Sequence, residues 1–131
     1  MKITADTNVL ARAFLEDHPE QSKVAQAVLK RAEIVALPLT TLCELVRVLR
    51  TYKVGPVDIT ATIQDLINGA NVVVNRPAAE AGLAMLNAGG DFADGVIAFE
   101  GNWLGADTFV SFDKRAVNLL KANGKSARLP G

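Results

Sequence analysis

Short apolar runs alternate with helical segments along the whole chain, and this alternation is the feature that most constrains the fold. Strand-like runs lie at 2–5, at 33–39 ("EIVALPL"), at 71–75 ("NVVVN") and at 107–112 ("DTFVSF"), with a short final strand around 127–129. Near-continuous apolar strands separated by helices are typical of a parallel sheet that is covered on both faces. The sequence therefore predicts an α/β protein.

The helices are predicted from apolar residues that recur about every 3.6 positions. They lie at 8–16, from Pro19 onward, at 40–54, from Asp58 to about 68, from Arg76 to about 89, at 91–106 and at 114–122. The second is predicted to place Val24, Ala27, Val28 and Arg31 on one face. The third and fourth are predicted to bury two apolar sets, Leu42, Leu45, Val46 and Leu49, then Ile59, Ile63, Leu66 and Ile67.

Composition sets the broad class of the protein. The chain has 131 residues, of which 50% are hydrophobic and 21% charged, so we expect one globular domain over residues 1–131. The single cysteine, Cys43, excludes an internal disulfide and suits a reducing cytoplasm. No apolar run approaches the length of a membrane span, and the N-terminus does not read as a signal peptide.

Positive charge is unevenly distributed, although the net charge is zero. Residues 114–131 contain five basic residues and no acid, and residues 45–57 contain Arg47, Arg50 and Lys53, again without an acid. This asymmetry suits a protein that holds cations in one place and phosphates in another. A solvated basic tail explains the distribution equally well.

Acidic residues follow several of the strands. Asp6 ends the first strand, Glu44 is predicted in the first turn of the helix after the second strand, and Asp113 ends the fourth strand. In open parallel sheets the functional crevice lies outside these carboxyl ends. Asp94 begins its own helix, and periodicity alone does not assign that helix a place relative to the crevice.

Helix capping is the competing explanation for each acid. Asp6 and Asp113 suit N-caps, Thr41 and Glu44 fit a capping box, and Asp91 with Asp94 fits a weaker one. Three carboxylates at one sheet edge, however, repel each other unless a cation lies between them. With no histidine or cysteine nearby, such oxygen ligands suit Mg²⁺ or Mn²⁺. The "Asp-Thr-Asn" triplet fits neither a phosphate-accepting receiver domain nor a haloacid-dehalogenase-type phosphatase.

Four motifs together carry a resemblance to a known family. They are "ADTNVLARAFLEDHPEQ" with Asp6, "TTLCELVRVL" with Glu44, "GGDFADGVIA" with Asp94 and "FVSFDKRA" with Asp113. In order and spacing over essentially the whole chain, they resemble the PIN domain, and more narrowly the VapC-type toxins of bacterial toxin–antitoxin pairs. The resemblance implies an α/β/α sandwich around a central parallel sheet of four to five strands.

The resemblance also implies a metal-dependent endoribonuclease. Asp6, Glu44, Asp94 and Asp113 are then both the catalytic residues and the ligands of one or two Mg²⁺ or Mn²⁺ ions, which activate water for in-line displacement at a phosphodiester. By motif position, Asn8 and Ser111 are expected to support the carboxylates. Asp91 is read first as an N-cap and second as an outer ligand.

Three basic residues are candidate phosphate contacts, namely Arg12, Lys114 and Arg115. For Arg12 an ion pair with Glu16 at i,i+4 is the favoured reading. Gly95 stands where the family has a small residue. We expect His18, the only histidine, to be solvated, and Trp103, Cys43 and Met85 to lie in the core or an interface.

The partners follow from the resemblance as well. They are an RNA substrate and a small VapB-type antitoxin, in a homodimer, a heterotetramer or a larger assembly, with operator DNA bound only through the antitoxin. The alternative function is a catalytically silent PIN-like protein that acts as an antitoxin-binding partner in transcriptional autoregulation. The RNA that is cleaved and the number of metal ions stay open.

Overall fold

The computed structural model describes residues 1–131 and contains seven helices and five strands, with one or two helices between successive strands. No helix has both the length and the apolar character needed to cross a membrane. The elements are, in chain order, β1 (Lys2–Thr4), α1 (Thr7–Phe14), α2 (Pro19–Arg31), β2 (Ile34–Leu37), α3 (Leu39–Thr51), α4 (Pro56–Ile67), β3 (Val72–Val74), α5 (Arg76–Asn87), α6 (Phe92–Trp103), β4 (Phe109–Val110), α7 (Lys114–Ala122) and β5 (Ala127–Arg128).

The chain divides into two compact units, a first unit at Met1–Arg76 and a second unit at Pro77–Gly131. The first unit contains a three-stranded parallel sheet in the order β1-β2-β3, with Ile3 opposite Val35 and Ala36 opposite Val73. Parallel neighbours joined through helices confirm the predicted α/β class.

The second unit is built on a parallel pair of strands, β4 and β5, in which Phe109 lies opposite Ala127. Phe109 packs against a buried cluster that α5, α7 and β5 provide, made of Met85, Val117, Leu120 and Ala127. All five predicted strands are present, as one sheet of three and one of two, instead of one sheet of four to five.

The helices α3 and α4 bury the predicted faces. Leu42, Leu45, Val46 and Leu49 of α3 are buried, and so are Ile59, Ile63, Leu66 and Ile67 of α4. The spacing of three and four residues places each set on one side of its helix, where removal from water drives packing. The apolar faces of these two helices are therefore used within the fold.

The face of α2 that contains Val24 and Val28 is not its buried face. Val24 is 65% exposed and Val28 is 40% exposed, whereas Ser22 and Ala25 are buried. The Gln26 side-chain amide donates to the Ala13 carbonyl oxygen over 2.9 Å, so α2 lies close against α1. Small residues on the inner face permit that approach, and the larger valines face solvent.

Two helix starts differ from the prediction. α3 begins at Leu39 with Pro38 as its N-cap, so Thr41 is inside the helix and does not cap it. α4 begins at Pro56 after the N-cap Gly55, which places Asp58 in the first turn. Proline in the first turn of α4 loses no hydrogen bond there.

Two glycines allow α5 and α6 to approach closely. A Cβ atom on Gly95 would lie 2.4 Å from the Ala81 carbonyl oxygen, and one on Gly82 would lie 2.7 Å from the Phe92 ring. Phe92 is fully buried by this packing. Gly95, the residue after Asp94, is therefore required by helix packing.

Candidate functional site

Asp6 lies at the carboxyl end of β1 and begins α1. Its carboxylate Oδ1 accepts the backbone N–H of Thr7 over 2.7 Å, which makes Asp6 the N-cap of that helix. The other oxygen, Oδ2, makes no hydrogen bond. Capping and metal binding are therefore compatible at this residue.

Glu44 lies on the exposed side of α3, in the second turn of the helix. Its Oε2 accepts the hydroxyl proton of Thr7 over 2.7 Å, and Thr7 is only 7% exposed. β1 and β2 are parallel neighbours, so the segments that follow them start from the same sheet edge. The predicted capping box of Thr41 and Glu44 was wrong, because α3 begins at Leu39 and Thr41 lies inside its first turn.

Thr7 is a supporting residue that the sequence reasoning missed. The signal was its place between Asp6 and Asn8 in the "Asp-Thr-Asn" triplet, where a hydroxyl is carried at the first position of α1. Asn8, the predicted support, is exposed and donates to neither carboxylate. The contact to Glu44 is made by the hydroxyl of Thr7 instead.

Arg12 pairs with Asp17 and not with Glu16. Its Nη1 lies 3.0 Å from both carboxylate oxygens of Asp17. Desolvation raises the pKa of Asp17, but the hydrogen bond and charge of Arg12, with the charge of His18, outweigh it and lower that pKa overall. Arg12 is thus engaged by an acid, which weakens its candidacy as a phosphate contact.

Three more acids belong to the second unit. Asp91 caps α6 by accepting the Ala93 N–H over 3.2 Å, which confirms its reading as an N-cap. Asp94 follows in the first turn and is partly buried. Burial raises the pKa of Asp94, and the charges of Asp91 and Asp113 raise it further. These three carboxylates therefore interact electrostatically.

Asp113 follows β4 and caps α7. Its Oδ1 accepts the backbone N–H groups of Arg115 and Ala116 over 3.0 and 3.2 Å, and its own N–H donates to the Ser111 hydroxyl over 3.0 Å. Ser111 thus fixes the turn that carries Asp113. As in Asp6, the second carboxylate oxygen is not hydrogen-bonded.

The two predicted phosphate contacts Lys114 and Arg115 are exposed in the first turn of α7 and pair with no acid. The Arg115 guanidinium extends over Gly89, where an added Cβ would lie 3.0 Å from Nη2. A cation at a helix N-terminus is unfavourable for the helix dipole. Their placement there is therefore not explained by helix stability.

The remaining predictions for single residues concern burial, and the structure confirms some of them. Met85 is buried in the core, as predicted, and His18 is exposed, as predicted. Trp103 is 78% exposed, so it does not lie in the core, and its expected place in an interface stays a prediction. Cys43 is partly buried and forms no disulfide.

The donor atoms suit a hard divalent cation. Asp6 and Glu44 in the first unit, and Asp94 and Asp113 in the second, supply only carboxylate oxygens, the ligands that Mg²⁺ and Mn²⁺ prefer. Burial and the neighbouring charges together raise the pKa of Asp94, and a cation would relieve the repulsion from those charges. No three acidic, histidine or cysteine side chains converge as a ready-made metal cage. The residues fit the ion by donor chemistry.

Comparison with known proteins identifies a family. No curated protein matches the chain. The family model described as the PIN domain matches residues 3–121, which include residues of both units and all four predicted catalytic acids. PIN domains are generally nucleases that use divalent ions such as Mg²⁺, and they bind RNA. The chain therefore belongs to the PIN domain family.

Proposed function

We propose that this protein is a metal-dependent endoribonuclease and the toxin of a toxin–antitoxin pair. One observation carries the nuclease proposal. In a PIN domain chain, four acids (Asp6, Glu44, Asp94 and Asp113) stand at helix starts or on an exposed helix face, each with a carboxylate oxygen that makes no hydrogen bond. Structural caps alone do not require all four.

These four residues would hold one or two Mg²⁺ or Mn²⁺ ions. When bound, the metal supplies Lewis acidity for hydrolysis of an RNA phosphodiester by water. The chain's own residues then have distinct tasks. Thr7 orients the Glu44 carboxylate, and Ser111 fixes the backbone of Asp113. Lys114 and Arg115 hold a substrate phosphate.

The toxin assignment is supported by the resemblance of the four motifs to VapC-type sequences. The partner is then a small VapB-type antitoxin in the cytoplasm, in a homodimer-based heterotetramer or larger assembly. A lysine or arginine of the antitoxin would complement the carboxylates and block them. Any operator DNA would be bound by the antitoxin.

Cleavage of total bacterial RNA by the purified, antitoxin-free protein tests the nuclease. We expect discrete fragments with Mg²⁺ or Mn²⁺, none with EDTA, and none from Asp6→Asn, which keeps the helix cap. Mapping the fragment ends identifies the RNA. A folded wild-type protein that cleaves nothing under either metal would contradict the proposal and favour the alternative, a silent antitoxin-binding partner.

Induced expression in a bacterial host tests the toxin role separately. We expect growth arrest with the wild-type chain and normal growth with Asp6→Asn at equal protein level. RNA cleavage in vitro without growth arrest would support the nuclease proposal and contradict the toxin proposal.

A further inference from the structure

Phe112 is the most exposed large hydrophobic residue of the chain, with 86% of its surface in solvent. Single exposed apolar residues are common on protein surfaces and require no explanation by themselves. Phe112 differs in its position, since it lies directly between the candidate support Ser111 and the candidate metal ligand Asp113.

The backbone around Phe112 is held on both sides. The Ser111 N–H donates to the Arg128 carbonyl oxygen over 3.2 Å, and the Asp113 N–H donates to the Ser111 hydroxyl over 3.0 Å. Phe109, three residues earlier on β4, packs into the core of the second unit. The aromatic ring is therefore presented to solvent by a fixed turn, so little conformational entropy is lost when something binds it.

The charges beside Phe112 indicate what binds there. Asp113 precedes two exposed cations, Lys114 and Arg115, which have no acidic partner. A nucleic-acid strand offers both a phosphate for the cations and a neutral, flat base for the ring. A base beside the carboxylates carries no charge to be repelled, whereas an acidic protein segment would be.

We propose that Phe112 stacks on an unpaired base of the RNA, next to the phosphodiester that is cleaved. This rests on the proposed nuclease function and assigns to Phe112 the positioning of the RNA substrate. In a duplex the base faces are covered by their neighbours, and aromatic stacking is the usual means by which proteins hold unpaired bases.

Fluorescence anisotropy with a labelled single-stranded oligoadenylate tests the proposal, with a blunt RNA duplex of equal length beside it. The protein carries Asp94→Asn, so that the RNA stays intact in Mg²⁺. We expect Phe112→Ala and Phe112→Leu to weaken single-strand binding roughly tenfold to a hundredfold. Phe112→Tyr retains affinity, and duplex binding stays weak throughout. Leu104→Ala, which removes another apolar side chain that is 77% exposed, should leave affinity unchanged.

The stacking proposal is overturned if Phe112→Leu binds the single strand as tightly as the parent. It is also overturned if affinity falls equally for single strand and duplex, or if the protein binds no oligonucleotide. Sedimentation of the same variants detects the competing role. If Phe112→Ala dissociates a dimer while RNA affinity is unchanged, the ring belongs to a protein interface. Cleavage by the wild-type chain is measured in parallel. If the wild-type chain cleaves RNA but the Phe112 variants bind it as tightly as the parent, only the stacking inference is rejected. If binding depends on the ring but the wild-type chain cleaves no RNA, only the nuclease proposal is rejected.

Discussion

The hydroxyl of Thr7 donates to Oε2 of Glu44 over 2.7 Å, and this bond joins the start of α1 to the exposed face of α3 across 37 residues of sequence. The donor is buried and the acceptor is exposed. Glu44 has several rotatable bonds, and the hydroxyl restricts them to one position. Under the proposed function, a carboxylate held in this way would bind a metal ion with little further change of side-chain conformation.

Replacing Thr7 by valine tests this role. Valine has the same shape and lacks the hydroxyl, so the fold is kept while Glu44 loses its only hydrogen-bond partner. We expect a loss of about 10- to 100-fold in Mg²⁺ affinity or cleavage rate, measured by titrating Mg²⁺ in the RNA cleavage assay. Thr7→Ser restores the hydroxyl and should restore most of the activity. Equal activity of Thr7→Val and wild type would show that the bond does not position Glu44.

The raised pKa of Asp94 has a consequence for stability. Its folded pKa is above the usual value, so the folded state binds the proton more tightly, and stability falls as pH rises from the usual value through the raised one. In EDTA at neutral pH, Asp94→Asn should therefore be more stable than wild type, by on the order of 1–3 °C, since solvent screens a partly exposed group. Thermal melting across pH measures it.

Two further observations belong to the same melting experiment. The difference in Tm between Asp94→Asn and wild type should close below the usual aspartate pKa, where both side chains are neutral. Mg²⁺ should raise the Tm of wild type more than that of Asp94→Asn, because only the ionised carboxylate binds the metal. A wild type that is more stable than Asp94→Asn in EDTA would contradict the repulsion among these carboxylates.

Asp113 combines two roles that substitution can separate. Asparagine is as good an N-cap as aspartate, whereas alanine loses the bonds to the N–H groups of Arg115 and Ala116. Asp113→Asn should abolish cleavage with little change in stability. Asp113→Ala should abolish cleavage and also lower the free energy of unfolding by about 0.5–2 kcal/mol. Urea denaturation and the cleavage assay together measure both. Full activity in Asp113→Asn would show that Asp113 caps α7 and is not needed for cleavage.

Gly95→Ala should destabilise the protein by about 1–3 kcal/mol, because its Cβ would meet the Ala81 carbonyl oxygen at 2.4 Å. Gly101→Ala is the matched control in the same helix. A Cβ there meets nothing within 4 Å, so alanine should stabilise α6 by up to about 1 kcal/mol. Denaturant unfolding of both variants gives the comparison. A neutral Gly95→Ala would show that α5 and α6 do not require this close approach.

The fold was predictable where burial follows apolar spacing. The inner faces of α3 and α4 agree with the prediction because large aliphatic residues recur every three or four positions. The inner face of α2 was not predictable in this way. The close approach of α2 to α1 determines which residues face inward. The small residues Ser22 and Ala25 are buried, while Val24 faces solvent.

In the candidate site, the contact of Ser111 with Asp113 follows from its predicted place beside that acid, whereas the contact of Thr7 was not predicted. Asp6 and Asp113 follow strands in the sequence, so their place at helix starts could be read directly. The bond from Thr7 to Glu44 could not be predicted, since Glu44 is distant in sequence and only the parallel pairing of β1 and β2 links their segments. The start of α3 was set by Pro38, which displaced the expected capping box.

The central claim is that four carboxylates bind the metal and that cleavage depends on each of them. Mn²⁺ binding, measured by electron paramagnetic resonance, tests it most directly in wild type and in Asp6→Asn, Glu44→Gln, Asp94→Asn and Asp113→Asn. The control is Asp65→Asn, a change at an exposed residue of α4. We expect bound Mn²⁺ and RNA cleavage in wild type and the control, and the loss of both in each of the four variants. Wild-type Mn²⁺ affinity in folded Asp6→Asn or Glu44→Gln would contradict the account.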